Sequence, residues 1–153
     1  MQLTRHTDFA LRTLLYVGLQ PEGERVSVTE IGRQFNMSHN HLIKVVHKLG
    51  SLGYLDTVRG KNGGVMLGKP AESIVIGQVV TDFETTLCPI DCEQVACPIA
   101  GSCQLFGVLN KATRAFMAVL NEYTLADFLK KPDFLMQRLL PSVEITEQAA
   151  NHS

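Results

Sequence analysis

Residues 27–67 specify the fold, and they read SVTEIGRQFNMSHNHLIKVVHKLGSLGYLDTVRGKNGGVML. Near the start, Ser27 and Glu30 have the spacing of a capping box, in which the serine hydroxyl accepts from the backbone N–H of Glu30 and the glutamate reaches back to the N–H of Ser27. The pattern predicts a short helix with Ile31 and Phe35 on its buried stripe.

A second helix follows directly, with Ser38 at its N-cap. Its apolar residues share one face of the helix: Leu42, Val45, Val46 and Leu49. Two short helices joined by a turn of three or four residues are typical of a helix-turn-helix, here about residues 28–51. In such motifs the second helix enters the major groove of DNA.

The polar face of the second helix carries candidate DNA contacts. Asparagine pairs with adenine, lysine reaches guanine or phosphate, and the N–H groups of the first turn suit a phosphate. The candidates are Ser38, His39, Asn40, His41, Lys44 and Lys48, with His47 on the same face. A merely solvated face is the other interpretation, since most surface helices have one.

Two strand-like runs, residues 54–59 and 65–67, surround a glycine-rich turn immediately after this helix. The glycines supply the positive φ angles that a tight hairpin needs. A hairpin here is a wing, with its tip at residues 59–64, and Arg59 and Lys61 can lie against phosphate or enter a narrow minor groove. A helix-turn-helix followed by a basic wing indicates DNA binding.

Apolar spacing also predicts a first helix over residues 4–19 and a long helix from about residue 105. The stripe on the long helix comprises Leu105, Val108, Leu109, Ala112, Phe116, Val119, Leu120 and Tyr123. This stripe needs a partner surface, either a second copy of the chain or its own domain. We favour a homodimer, because helix-turn-helix regulators commonly bind two half-sites about 34 Å apart.

Charge is divided unevenly along the chain. Residues 1–69 contain nine Lys/Arg and five Asp/Glu, whereas residues 70–153 contain five Lys/Arg and ten Asp/Glu. A basic front half and an acidic back half are typical of a nucleic-acid-binding module joined to a sensing or dimerising part. We expect no enzyme, because neither a nucleophile–base set nor a phosphate-binding loop is present.

No apolar run has the length of a membrane span, and the charged start lacks the apolar core of a signal peptide. We therefore expect a cytoplasmic protein without a membrane partner. Its four cysteines, Cys88, Cys92, Cys97 and Cys103, then lie where thiols are kept reduced. An iron–sulfur cluster, a zinc ion or redox-active thiols each suit this group, although zinc sites usually show closer cysteine pairs.

Several segments resemble the winged-helix regulators of the IscR/NsrR type, an iron–sulfur family, and the resemblance covers about residues 1–130. They are MQLT (1–4), VRGKNGG (58–64), LGKPA (67–71), YTLAD (123–127) and the cysteine loop before a long helix. The resemblance implies that Cys92, Cys97 and Cys103 ligate a cluster, with [4Fe-4S] favoured and [2Fe-2S] possible. Cys88 is extra to the family pattern.

The resemblance also concerns the fourth ligand. IscR-like members use a histidine three residues after the third cysteine, but Phe106 stands there and cannot ligate. NsrR-like members use an aspartate of the first helix from across the dimer, which corresponds to the partner subunit's Asp8. A carboxylate that stabilises its own helix is the alternative for Asp8, and Arg12, one turn on, can pair with it in either case.

The function that the resemblance implies is nitric-oxide-sensing transcriptional repression. A homodimer would bind palindromic operator DNA while the cluster is intact and release it on nitrosylation. The alternative is an IscR-like regulator of another set of genes that responds through an iron–sulfur cluster, thiols or zinc.

The predicted fold is mainly α-helical with a small β-hairpin wing: a winged helix-turn-helix plus a long dimerisation helix. We assign residues 1–69 to the DNA-binding domain and residues 70–131 to the cluster-binding loop and dimerisation helix. Residues 132–153 form a C-terminal tail whose end we expect to be mobile. Thr124 and Asp127 have the spacing of a second capping box before a short helix.

Overall fold

The computed structural model describes residues 2–58, 60, 63–90, 97–99, 101–130 and 139. Over these residues, the chain is mainly helical with one antiparallel hairpin, as predicted. Its elements are α1 (Arg5–Gly18), α2 (Val28–Gln34), α3 (His39–Ser51), β1 (Leu55–Val58), β2 (Gly64–Leu67), a short 3-10 helix (Ala71–Ser73), α4 (Ile76–Phe83), α5 (Gln104–Asn121) and α6 (Leu125–Leu129).

Helix α1 lies at the centre of the fold and packs against α3, α4, α6 and β2. Its start is capped by Thr4, whose hydroxyl accepts from the backbone N–H of Thr7 at 3.3 Å. One face of α1 is buried through Ala10, Leu14 and Val17. Because α1 touches most of the other elements, it connects the helix-turn-helix to the helices that follow the wing.

Helices α2 and α3 form the predicted helix-turn-helix. Ser27 accepts from the backbone N–H of Glu30 at 3.1 Å, which confirms its capping role. The Glu30 carboxylate is directed elsewhere, because its Oε1 accepts from the Tyr16 hydroxyl at 2.8 Å. Burial, together with this hydrogen bond and the nearby charge, raises the pKa of Tyr16 to about 12. Glu30 thus ties α2 to α1.

The turn between α2 and α3 needs one left-handed residue. Asn36 adopts a φ of 52°, a conformation that asparagine tolerates better than most residues. Phe35 is half-buried at the end of α2 and its ring meets that of Tyr16 edge-on at 5.9 Å. The apolar face predicted for α3 is confirmed, since its four members are buried: Leu42, Val45, Val46 and Leu49.

The wing hairpin pairs β1 with β2 so that Leu55 lies opposite Leu67 and Val58 opposite Gly64. At the base of the hairpin, Gly68 lets the backbone after β2 pass close to the backbone of the segment before β1 and of β1 itself. A Cβ on Gly68 would lie 2.9 Å from the carbonyl oxygen of Gly53 and 3.0 Å from the carbonyl carbon of Leu55. A side chain at this position would therefore push against backbone atoms of the loop and of β1.

The segments that follow the wing dock onto the same core. The backbone N–H of Leu125 donates to the carbonyl of Ile74 at 2.8 Å, which joins the start of α6 to the segment before α4. The predicted second capping box is confirmed: the N–H of Thr124 donates to Asp127 Oδ2 at 2.8 Å. The division of the chain at residues 69/70 stays a prediction, and one buried cluster spans both sides of it, from Ala10 to Leu125.

Helix α5 packs against α4 along one side only. Gly77 of α4 permits the approach, because a Cβ there would overlap Asn121 Oδ1 and would lie 3.0 Å from the Asn121 backbone nitrogen. No residue of α5 is fully buried in the single chain. In the described part of the chain, none of the helices combines the length and apolar character required to cross a membrane.

Candidate nucleic-acid interface and cysteine loop

The outward face of α3 carries the polar residues predicted from the sequence. Their side chains are exposed: His39, Asn40, His41, Lys44 and His47. Ser38 occupies the N-cap position and is exposed, and its side chain makes no capping hydrogen bond to the described residues. The start of α3 therefore presents a hydroxyl, an amide and imidazoles together.

Lys48 differs from the other candidates on α3. It is half-buried, and its Nζ lies 4.7 Å from the centre of the Phe83 ring. This distance is within the range of a cation–π interaction. Lys48 thus attaches the last turn of α3 to the end of α4, a contact that the helical pattern of α3 alone does not reveal.

The two predicted wing cations, Arg59 and Lys61, lie outside the described residues. The described part of the turn has the backbone that the glycines predicted. Gly60 adopts a φ of 108°, and the N–H of Gly63 donates to the Gly60 carbonyl at 2.9 Å. The wing is therefore a tight hairpin directly after the recognition helix.

Besides the contact between α3 and α4, a contact joins the wing to α4, and the sequence pattern did not predict it. The Tyr54 hydroxyl donates to Asp82 Oδ2 at 2.6 Å, and Gln78 Nε2 donates to Asp82 Oδ1 at 2.9 Å. Burial and the hydrogen bond to Asp82 raise the pKa of Tyr54. The Tyr54 ring also carries a cation–π contact, because Lys69 Nζ lies 3.9 Å from its centre. Asp82 and Phe83 thus link α4 to both parts of the candidate DNA-binding surface.

The cysteine loop follows α4. Cys88 is exposed, and its Sγ donates to the carbonyl oxygen of Ile90 at 2.9 Å. Cys97 and Cys103 are half-buried free thiols, and Cys103 is the N-cap residue of α5. Cys92 lies outside the described residues. Within the described ranges, His, Cys, Asp and Glu form no group of three or more that could hold a metal ion.

Asp8 and Arg12 form the pair that the sequence predicted. Arg12 Nε donates to Asp8 Oδ1 at 2.7 Å, one helical turn apart on α1. Both side chains are partly exposed, at 41% for Asp8 and 48% for Arg12. The Arg12 guanidinium also lies 6.0 Å from the centre of the Phe35 ring. Asp8 is therefore on the surface, within reach of a group outside its own chain.

Glu84 anchors the root of the cysteine loop to α1. It follows the last residue of α4, and its Oε1 accepts from the backbone N–H of Thr4 at 2.8 Å and from the hydroxyl of Thr7. Thr7 is fully buried and directly precedes Asp8. Burial raises the pKa of Glu84, but the hydrogen bonds from Thr7 and Thr4 together lower it by more, so the pKa is below its ordinary value.

The donor set fits an iron–sulfur cluster by its chemistry. Cysteine thiolates are the ligands that hold such clusters. Cys97 and Cys103 are free thiols, and Cys103 is at the start of α5. The same thiols suit zinc, so the donor types do not select the metal.

A family model described as "Rrf2: Iron-dependent Transcriptional regulator" matches residues 3–131. The chain belongs to the Rrf2 family. Rrf2 proteins are transcriptional regulators rather than enzymes, and they bind DNA and typically act as dimers.

Solved structures of Rrf2-like regulators share the fold. CymR, the global cysteine regulator of B. subtilis, is 20% identical with a TM-score of 0.68, over 84% of this chain and 96% of that chain. The oxidized form of Staphylococcus aureus CymR is 23% identical with a TM-score of 0.69, over 85% and 97%. T. potens IscR is 21% identical with a TM-score of 0.66, over 85% and 87%. The winged-helix architecture predicted from the sequence is thereby confirmed.

Proposed function

We propose that this Rrf2 regulator is a nitric-oxide-sensing transcriptional repressor that binds palindromic operator DNA as a homodimer. The observation that carries the proposal is the position of Cys103. Cys103 is the N-cap residue of α5, the helix whose apolar surface is exposed in the single chain. A group held at Cys103 therefore lies at the end of the element that we expect to join two copies.

The ligands in this proposal are Cys92, Cys97 and Cys103 of one subunit and the partner subunit's Asp8. When bound, an iron–sulfur cluster, [4Fe-4S] in preference to [2Fe-2S], supplies iron with which nitric oxide reacts. Asp8 suits the fourth position because it is on the surface of α1 and its pairing with Arg12 is a single exposed ion pair. Exposed pairs of this kind stabilise a protein by about 1 kcal/mol or less, so Asp8 can exchange its partner cheaply.

Helix α5 supplies the surface for a second copy. Its exposed apolar residues include Leu105 at 61%, Val108 at 63% and Val119 at 53% exposure. These residues recur on one side of the helix, whereas Leu109, Phe116 and Leu120 are half-buried on the side toward α4. A two-fold contact along the exposed side would remove it from water.

The chain itself connects the loop to the DNA-binding surface. Glu84 attaches the start of the loop to α1, directly beside Asp8. Phe83 and Asp82 attach the same end of α4 to Lys48 of α3 and Tyr54 of the wing. A rearrangement of the loop that moves α4 therefore changes the separation of the two recognition helices.

The proposed DNA contacts are the N-cap residue and the polar residues of α3 together with the wing cations: Ser38, His39, Asn40, His41, Lys44, Lys48, Arg59 and Lys61. Lys48 would have to leave the Phe83 ring to reach a phosphate, since its Nζ covers that ring in the free chain.

The proposal is tested on protein purified without oxygen. Iron, acid-labile sulfide and zinc are quantified, and fluorescence anisotropy measures binding to a selected duplex as nitric oxide is titrated. We expect iron and sulfide, and release of the duplex by nitric oxide. Zinc without sulfide would overturn the cluster, and retention of the duplex at every nitric oxide concentration would overturn the sensing function.

The role of Asp8 is tested with Asp8→Ala, and Glu22→Ala serves as a control because Glu22 is an exposed carboxylate in the turn after α1. We expect Asp8→Ala to alter the absorption spectrum and the rate of reaction with nitric oxide, and Glu22→Ala to alter neither. An Asp8→Ala variant indistinguishable from the parent would reject ligation by Asp8.

A further inference from the structure

An open apolar cleft lies between the recognition helix α3 and the wing. Its volume is about 330 Å³, and it is lined by residues of α3, of both wing strands and of the start of α2. The buried residues Val46 and Val65 contribute to its lining. Ile43 and Val58 also line it and are 47% and 41% exposed.

The exposure of Ile43 is unusual for α3. The four residues of the apolar stripe are buried, but Ile43 lies between that stripe and the polar face. Its neighbours along the exposed side are His39 and His47, one turn before and one turn after it, and Lys44 is the next residue. An apolar side chain thus lies within a row of hydrogen-bonding and cationic side chains.

The exposure of Val58 follows from its cross-strand partner. Val58 lies opposite Gly64, which offers no side chain to cover it. A larger residue at position 64 would collide with the neighbouring segment, because a Cβ there would lie 2.9 Å from the carbonyl oxygen of Val26. The fold therefore keeps this wall of the cleft open.

We propose that Ile43 is a specificity-determining residue that contacts the 5-methyl group of a thymine in the major groove, with Val58 as the opposite wall of the cleft. Thymine is the one DNA base with an apolar group on its major-groove edge, and apolar side chains recognise it there. This inference rests on the DNA-binding function proposed above and adds a base preference to it.

The surroundings of the cleft favour DNA over a protein as its occupant. The front half of the chain, residues 1–69, has nine Lys/Arg against five Asp/Glu. His47 lines the cleft, and Lys44 and His39 are exposed residues of α3 next to Ile43 in the chain and one turn before it. DNA is a polyanion and its thymines carry a methyl group on the major-groove edge, so it matches both the charge and the apolar wall. An apolar protein segment would leave Lys44 and the two histidines without a binding partner.

The experiment first selects preferred duplexes from a randomised pool with the full-length protein. Each thymine of the selected duplex is then replaced by uracil, which removes only the methyl group. For the parent protein, we expect one replacement in each half-site to weaken binding by about fourfold, the size expected from burying one methyl group. Replacements elsewhere should have little effect.

Variants assign this effect to Ile43. Ile43→Ala should bind the thymine and uracil duplexes equally, and Ile43→Leu should retain part of the preference because it keeps an apolar side chain. Lys44→Ala, one residue away, should weaken binding to both duplexes and leave their ratio unchanged.

Four outcomes would overturn the inference. If the parent protein binds every uracil duplex as tightly as the thymine duplex, the inference is wrong but the DNA-binding function stands. The same holds if Ile43→Ala still prefers thymine to uracil. If Ile43→Ala instead altered the sedimentation of the free protein, the cleft would be an interface between copies. Failure to select any duplex would remove the DNA-binding proposal together with this one.

Discussion

Glu84 joins two elements that are 80 residues apart in the sequence, the start of α1 and the end of α4. Its carboxylate accepts from a backbone N–H of Thr4 and from the buried hydroxyl of Thr7. A hydrogen bond to a charged group contributes about 1.5–3 kcal/mol to stability, compared with about 1 kcal/mol for a neutral one. This single side chain therefore fixes the point at which the cysteine loop leaves the core.

We predict that Glu84→Gln lowers the free energy of unfolding by about 1 kcal/mol at pH 7, because the amide replaces a charged acceptor by a neutral one. The pKa of Glu84 is lowered in the fold, so its contribution is complete above the ordinary value of 4.5 and is lost as the pH falls through the lower folded value. Urea unfolding from pH 7 downward measures the difference between variant and parent, which should shrink below pH 4.5.

Glu24→Gln is the control for this prediction, since Glu24 is an exposed glutamate in the turn before α2. It should match the parent across the whole pH range. An effect of Glu84→Gln that stays constant with pH would mean that its charge is not what matters.

The partners of individual side chains are only partly predictable from spacing in the sequence. The spacing of Ser27 and Glu30 predicts a cap, and the cap is present. It does not show that the Glu30 carboxylate accepts from Tyr16. In the same way, the spacing of residues in α3 does not show that Lys48 covers the ring of Phe83, 35 positions later. Periodicity assigns a residue to a face of its helix, whereas the partner of that face depends on how distant segments dock.

Helix α5 carries one apolar stripe whose two halves differ in exposure. The sequence predicted a single stripe and two ways to bury it, against a second copy or against its own domain. In the structure, Leu109, Phe116 and Leu120 are half-buried on the side that packs against α4, whereas Leu105, Val108 and Val119 remain exposed. The stripe is therefore wide enough to serve both purposes, and helical spacing alone did not separate its two parts.

We predict that Val108→Glu weakens self-association at least tenfold, because Val108 is 63% exposed in the single chain and would carry a charge into the proposed two-fold contact. Sedimentation equilibrium over a range of protein concentrations measures the dissociation constant. The single-chain fold should be unaffected, since an exposed helix position accepts glutamate readily.

Lys111→Glu is the matched control, because Lys111 is an exposed residue of the same helix outside the apolar side. It changes the formal charge of each chain by about twice as much as Val108→Glu does, since a cation becomes an anion, and it should still leave the dissociation constant within about twofold. Equal effects of both variants would indicate a general electrostatic cause rather than a contact at Val108.

The whole molecule is polarised, with the excess of Lys/Arg in residues 1–69 and the excess of Asp/Glu in residues 70–153. The sequence was sufficient to predict this division and the order of the elements, because both are properties of consecutive residues. The single buried cluster that joins α1 and α3 to α4 and α6 was not predicted. It depends on contacts between segments up to about a hundred residues apart, for which the local pattern holds no signal.

We predict that binding to duplex DNA weakens steeply with salt and that Lys44→Ala makes the dependence shallower. Each phosphate contact contributes about −0.9 to the slope of log Kobs against log salt concentration. Loss of Lys44 from both subunits should therefore reduce the slope by about 1.8. Anisotropy titrations at several salt concentrations give the slope.

Lys111→Ala controls for the loss of any positive charge, because Lys111 lies in the acidic half of the chain. Its slope should equal that of the parent. An unchanged slope for Lys44→Ala would place the phosphate contacts on residues other than Lys44.

Helix α4 is attached through Asp82 to Tyr54 and through Phe83 to Lys48, so its end is held against both the wing and α3. An axial slip of this helix by one residue amounts to about 1.5 Å, roughly half the length of a hydrogen bond. The base of the hairpin and the last turn of α3 would have to move with α4, or these contacts would break. Under the proposed function, rigid attachments of this kind would transmit a small displacement of the cysteine loop to the DNA-binding surface without unfolding any part of α4.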